Sequence, residues 1–376
     1  MQAKVERIQV DENKRIIAIS DIHGDLNGLK RLLQKVDFTS NDVLFIIGDM
    51  IEKGYQNLGT LQYIMNLCKN YTVHVVCGNC DAIANEIYCK KENKDLLSYL
   101  IWRKNSIINE MCEALSIKLT IESDLKTVKE TLKKYFLEEL EFIKGLPDII
   151  ETQKFIFVHA GLTSQKLDEQ KATHVRRMDA FLKQELSFDK YCVVGHWPVV
   201  LYCANIPSCN PIIDREHKII SIDGGNVLKR DGQLNAFIIP NMNSEDFTFE
   251  SQDDLKSGVA LDTQVANECS RCIPWIDNKI EVLKSEQEFS YCEQLSTKYR
   301  MWILNKYVIK GKNGCQCEDS TDYQIAVEAG ETVAVVEISE KGYLIKRNGI
   351  SGWYYGKLKI DETDRDKTDR DETDKR

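Results

Sequence analysis

Over the first two thirds of the chain, apolar residues fall into short runs bounded by glycine, aspartate and asparagine. The runs are Ile16 to Ile19, Val43 to Ile47, Val73 to Cys77, Phe155 to Val158, Tyr191 to Val194, Ile219 to Ile222 and Phe237 to Ile239. Rich in β-branched side chains, they predict strands buried on both faces. Between them, Leu26 to Val36 sets Leu29, Leu32, Leu33 and Val36 on one helical face, and Leu58 to Cys68 keeps the same period. Strand alternating with helix predicts an α/β layered domain over residues 1–245. Residues 82–146 interrupt the alternation. They are rich in Glu, Lys and Leu, carry no strand signal and are closed by Pro147, which predicts a helical segment inserted between two strands.

After Pro240 the pattern changes. Residues 241–256 are polar and acidic and read as a linker. Two later segments, MWILNKYV around Trp302 and GWYYGKL around Trp353, each end a run of strand-like stretches with short turns. They predict small all-β modules over 246–309 and 310–360. Residues 361–376 repeat Thr-Asp-basic without one apolar side chain and predict a disordered charged tail.

Composition narrows the function classes. At 376 residues two or three domains are expected, and 43% hydrophobic content is that of a globular chain. A formal net charge of −9 disfavours a duplex nucleic-acid surface but not a phosphorylated substrate, because bound cations supply local positive charge. The N-terminus is charged, and no run approaches the roughly 18 apolar residues of a membrane span. Thirteen cysteines, scattered through apolar segments, predict reduced thiols and a cytoplasmic location.

The chemistry lies at the strand ends. Asp21 and His23 come directly after the first strand, Gly48-Asp49 after the second, and Gly78-Asn79-Cys80-Asp81 after the third. His159, His196 and Asp223 come after the next three. Loops at the carboxyl ends of strands in an α/β sheet gather where ligands bind. A lone Asp-x-His is far more often a turn than a ligand pair; the ordered set at strand ends is the signal. Mixed oxygen and imidazole donors suit Mn, Fe or Zn. Two such ions about 3.5–4 Å apart clamp a phosphoryl group and generate hydroxide for in-line attack. In this reading Asp49 bridges, Asp21 and His23 complete one ion, and Asn79, His159 and His196 the other. His74 and His174 lack the strand-end context and read as ordinary side chains.

These residues resemble the calcineurin-like metallophosphoesterase superfamily, whose pattern runs Asp-x-His, Gly-Asp, Gly-Asn-His-Glu/Asp, His-Ala-Gly and Gly-His. With GLPDII, VVGHWPV and IISIDGG, the chain looks most like the bacterial phosphoprotein phosphatase branch. The resemblance implies a central β-sandwich flanked by helices and a dinuclear metal centre. It also exposes departures. Cys80 stands where the family has a His thought to protonate the leaving oxygen, a form shared with certain bacterial phosphodiesterases. Glu52-Lys53-Gly54 replaces Asp-Arg-Gly, and lysine neutralises phosphate only as a point charge. Gly195-His196-Trp197-Pro198 lacks the second His of those phosphodiesterases.

The resemblance also implies roles. Lys53 and Arg177 (chosen over neighbouring Arg176) neutralise the phosphoryl oxygens, and Asp81 orients the proton donor, Cys80 or a water. The C-terminal modules resemble bacterial Src-homology-3-like domains and suggest a protein partner, with Trp353 in a barrel core. Cys269, Cys272, Cys315 and Cys317 read as free thiols before a zinc site. The substrate expectation places phosphoserine, phosphothreonine or phosphotyrosine in proteins first. Dinucleoside polyphosphates or phosphodiesters come second, and a catalytically weak binder of phosphorylated partners third.

Overall fold

Strands β2 (Ile16–Ile19) and β3 (Val43–Ile47) are buried along their whole length, so both faces need cover. One face of their sheet packs against helices and the other against a second sheet. The computed structural model describes residues 1–89, 94–312 and 314–360. It divides the chain into two compact units: residues 1–199 with 210–253, and residues 200–209 with the described residues from 254 onward.

In the first unit, β2, β3 and β4 (Thr72–Val76) run parallel. The parallel connections are made by α1 (Leu26–Lys35) and α2 (Asn57–Asn70). Strand β10 (Leu234–Ile239) pairs antiparallel to β2 and carries β11 (Thr248–Gln252) at the edge. The second sheet has the order β1-β5-β6-β7-β9-β8. Its strands are β1 (Val5–Arg7), β5 (Ile149–Glu151), β6 (Phe155–Val158), β7 (Tyr191–Val194), β8 (Ile212–Asp214) and β9 (Ile219–Ser221). Within it β6, β7 and β9 are parallel.

Alternation sorts the side chains into three layers. Ile16, Ala18, Phe45 and Ile47 meet Phe155, Phe157, Val193 and Ile220 between the sheets, with Phe45 stacked on Phe157 at 3.7 Å between ring centroids. Ile17, Ile19, Leu44 and Ile46 face the helices, meeting Leu29 and Leu32 of α1 and Leu61 and Ile64 of α2. Val158, Cys192 and Val194 face outward under Phe181 and Phe188. This is the β-sandwich with flanking helices that the family resemblance implied.

The inserted segment is helical: a 3₁₀ stretch (Asp81–Tyr88), then α3 (Lys94–Trp102), α4 (Ile107–Ala114), α5 (Leu125–Tyr135) and α6 (Leu137–Gly145). Its buried residues Ile108, Met111, Leu132 and Leu140 extend the helix-side core. One buried carboxylate fastens it to the loop after β3. Glu52 accepts from Tyr99 Oη at 2.7 Å and from Ser106 Oγ and Ile107 N, both at 2.8 Å.

Three expectations are corrected. Residues 241–256 are not simply a linker, since Thr248–Gln252 forms β11 and Phe247 packs edge-on to Tyr191 in the sandwich core. Its polar sequence suits an edge strand whose far side meets solvent. Residues 200–209, read as part of the catalytic domain, belong to the second unit, where Cys209 N donates to Gly349 O at 2.8 Å. The break after residue 309 does not separate the C-terminal sheets. Strand Gly314–Cys317 pairs with Lys279–Ser285 upstream of it, and Lys256–Ala260 pairs with Thr332–Ile338 and Leu358–Ile360 downstream.

The second unit is all-β: two five-stranded antiparallel sheets and one two-stranded ribbon. Trp353 is core, its indole N–H donating to Thr321 O at 2.9 Å, and Tyr354 is fully buried. Among the described residues, no helix is long and apolar enough to cross a membrane. Among the described residues the thirteen cysteines form no disulfide, and no group of three donors forms around Cys269, Cys272, Cys315 or Cys317. The tail expected to be disordered, 361–376, lies outside the described residues.

Candidate metal centre

The turns after β2, β3 and β7 are tight, and the backbone shows it. Asp21, His23, Asp49 and His196 have φ of 54°, 51°, 50° and 67°, and Lys53 has 74°. Non-glycine residues avoid this left-handed region, and such strain concentrates where structure holds a functional side chain in place. Glycine is obligatory beside two of them. A Cβ on Gly78 would fall 2.1 Å from Asp49 Oδ1, and one on Gly195 2.2 Å from Asp21 Oδ2.

These turns bring the six expected ligands together. Asp49 Oδ1 lies 3.4 Å from His159 Nε2, and Asp49 Oδ2 lies 3.9 Å from His23 Nε2, which is 3.8 Å from Asp21 Oδ1. Asn79 Oδ1 is 3.1 Å from His159 Nε2, and the His159 and His196 rings sit 5.1 Å apart. Two donor groups emerge, one of Asp49, His159 and His196 and one of His23, Asp49 and Cys80. Asp49 belongs to both. His159 Nδ1–H donates to Ile47 O at 2.9 Å, which leaves the Nε2 lone pair directed into the site.

The electrostatics ask for cations. Asp21, Asp49, Asp81 and Asp223 are all buried to within 2% exposure. Burial, Asp223 and Asp49 push the Asp21 carboxyl well above the usual range. Burial would lift Asp49 too, but His159, His23 and Lys53 outweigh it and hold it low. Burial pushes Asp223 up to about 6, and it lowers His23 and His196 to about 3. Asp223 Oδ2 is buried without a hydrogen-bond partner. Neutral imidazoles, clustered carboxylates and an orphaned carboxylate oxygen fit a pair of divalent ions.

Lys53 reaches the same place, its Nζ 3.4 Å from His23 Nε2. Burial works against its charge, but Cys80, Asp49, Asp21 and Asp223 overcome it and raise its pKa. Arg177 is exposed and close enough to His196 to depress the imidazole pKa. Arg176 instead pairs with Asp148, which is 3% exposed. The two arginines should therefore behave differently when truncated. Arg176→Ala should cost roughly 1.5–3 kcal/mol in urea denaturation, the range for a hydrogen-bonded charge. Arg177→Ala should leave stability nearly unchanged but reduce kcat/KM on a phosphate ester roughly 10- to 100-fold.

Asp81 is tied to the backbone of two loops. Its Oδ2 accepts from Asp49 N and Gly78 N, both at 2.8 Å, and its Oδ1 from Met50 N at 2.9 Å. These bonds brace the loops after β3 and β4. Asp223 carries no assigned role in the sequence pattern, although its place before Gly224-Gly225 at a strand end is the available signal. Glu52 stands out in the sequence only as a departure from the family pattern, since its partners Tyr99 and Ser106 lie some 50 residues away.

Strand-end carboxylates and imidazoles converging on one shared aspartate define a candidate dinuclear centre on an α/β sandwich. The family model described as calcineurin-like phosphoesterase matches residues 14–219, and the chain belongs to that family. Curated relatives named "Bis(5'-nucleosyl)-tetraphosphatase, symmetrical" share parts of it. The protein of Buchnera aphidicola subsp. Baizongia pistaciae is 35% identical over 145 residues, 38% of this chain and 42% of that one. That of Vibrio parahaemolyticus is 25% identical over 226 residues, 48% of this chain and 83% of that one. The chain thus spans under half the length of the first of these. Among solved structures, the cold-active protein-tyrosine phosphatase of a psychrophilic Shewanella aligns at a TM-score of 0.37. Its identity is 16%, over 66% of this chain and 82% of that one.

Proposed function

We propose that the chain is a phosphohydrolase working with two divalent ions held by Asp21, His23, Asp49, Asn79, His159 and His196, and that its substrates are dinucleoside polyphosphates, cut at a phosphoanhydride bond. The observation that carries the reaction class is the convergence of these donors on Asp49, which belongs to both donor groups. When bound, the ions supply charge that polarises a phosphoryl group and acidifies water. Lys53 neutralises a phosphoryl oxygen as a point charge from inside the site, and Arg177 holds a further phosphate from the exposed rim. Asp81 keeps the two loops in register, and the Nδ1–H of His159 fixes its tautomer.

The substrate class reverses the order given by the sequence. The names of the relatives point to nucleoside polyphosphates, and Lys53 in place of the family's arginine also favours a substrate other than a phosphoprotein. The phosphoprotein reading retains Gly195-His196-Trp197-Pro198 and the Ser221-Ile222-Asp223-Gly224-Gly225 turn in its support. The all-β second unit would then serve a protein partner.

The test supplies the full chain and Mn²⁺ with bis(5'-adenosyl) tetraphosphate and, separately, with phosphoserine and phosphotyrosine peptides. Chromatography of the products should show the nucleotide cut faster, with ADP as the product of a symmetrical cut. Phosphate release from peptides alone would overturn the substrate class in favour of phosphoproteins.

A further inference from the structure

Cys80 stands beside a candidate ligand, and its own sulfur faces the same volume. Its backbone N–H donates to Asp49 Oδ1 at 2.8 Å, which ties it to the shared carboxylate. Asn79 Nδ2 donates to its Sγ at 3.3 Å. The Sγ, a ring nitrogen of His23 and a carboxylate oxygen of Asp49 all lie within 4.8 Å of one another. Two donors on one ion lie at most about twice a bond of roughly 2.3 Å apart, so donors this near one another can share one ion after a small adjustment. A second observation points to a missing ligand: Asp223, 1% exposed, has an oxygen with no partner, and its charge is felt by Asp21 and Lys53.

We propose that Cys80 is a thiolate ligand of the ion held by Asp21 and His23, completing an N,O,S donor set opposite the sulfur-free set of His159 and His196. This rests on the proposed dinuclear centre and deepens it. On binding, the S–H bond gives way to a sulfur–metal bond and the proton passes to solvent. Ligation and proton donation to a leaving group exclude each other, so Cys80 is removed from the acid role that its alignment with the family's His suggested. The two centres then differ in metal preference. Sulfur draws a borderline-soft ion, zinc, iron(II) or cobalt(II), to the Cys80 side, while manganese is served at least as well by the other.

Cobalt(II) reads this directly. Full-length protein stripped with chelator and titrated with Co²⁺ should bind two ions per chain. It should develop a near-ultraviolet sulfur-to-cobalt charge-transfer band as the Cys80 centre fills. In Cys80→Ser the band should vanish while the visible ligand-field bands of bound cobalt remain. Competition should show the preference for Zn²⁺ over Mn²⁺ at that centre falling by at least the roughly 10- to 100-fold that loss of an outer-shell partner costs. Should Cys80→Ser not fold, Cys80→His restores the family's residue and must lose the band equally. Cobalt bound without the band in the unaltered chain overturns the thiolate assignment and leaves the dinuclear reading standing. A band that survives in the variants places the sulfur elsewhere, with the same consequence. Failure of the unaltered chain to bind cobalt at all overturns both.

Discussion

Asp49→Asn should lower phosphoester turnover by roughly 10³-fold or more, equivalent to at least about 4 kcal/mol of transition-state stabilisation. Asp49 is the one carboxylate common to both donor groups, and its pKa is held below the usual carboxylate range. Asparagine keeps the shape and one acceptor for the Cys80 N–H. It removes the charge and turns one coordinating oxygen into a donor. The shared position then serves one centre at most. The check is kcat with metal content measured on the same sample. Turnover within tenfold of the unaltered chain, with two ions still bound, would remove Asp49 from its bridging place.

The second large effect is on stability. Asp81→Ala should cost on the order of 3–5 kcal/mol, because three backbone N–H groups lose their buried acceptor at once. Burial pushes the Asp81 carboxyl up to about 7, so the fold retains this group for its hydrogen bonds, at a desolvation cost. Asp81→Asn keeps one oxygen but turns an amide NH₂ toward at least one of the donors, and should fall between the two. Urea denaturation of metal-free protein measures this. A variant of unchanged stability with depressed kcat would restore the proton-orienting role and dismiss the brace.

The difference between these residues shows what the sequence could reveal. The convergence of Asp21, His23, Asp49, Asn79, His159 and His196 was legible because each lies at the end of a run of apolar residues. Strand ends of parallel strands share a rim whatever the details of the fold. Asp81 and Glu52 were not legible in their roles, because their partners are backbone amides and an inserted helix brought near only by tertiary structure. The sandwich itself was legible through a family likeness. The buried runs are apolar on both faces, so periodicity alone could not say that a second sheet, rather than more helices, covers one of them.

Short or polar strands escaped for a different reason. Val5–Arg7, Ile149–Glu151 and Ile212–Asp214 have three residues each, too few to show a period. Thr248–Gln252 hides among acidic and polar neighbours because an edge strand need bury only one face. In the second unit, local turns were readable but pairing was not. Lys256–Ala260 finds Thr332–Ile338 across more than seventy residues, and nothing in the intervening composition marks that return.

The most direct test is hydrolysis of chromogenic phosphomonoester and phosphodiester substrates by chelator-treated full-length protein, before and after Mn²⁺ is returned, with bound metal counted. A dinuclear hydrolase should show no turnover when stripped and recover it as two ions per chain are restored. Turnover indifferent to chelator, or two ions bound with neither ester nor bis(5'-adenosyl) tetraphosphate cleaved, would contradict it.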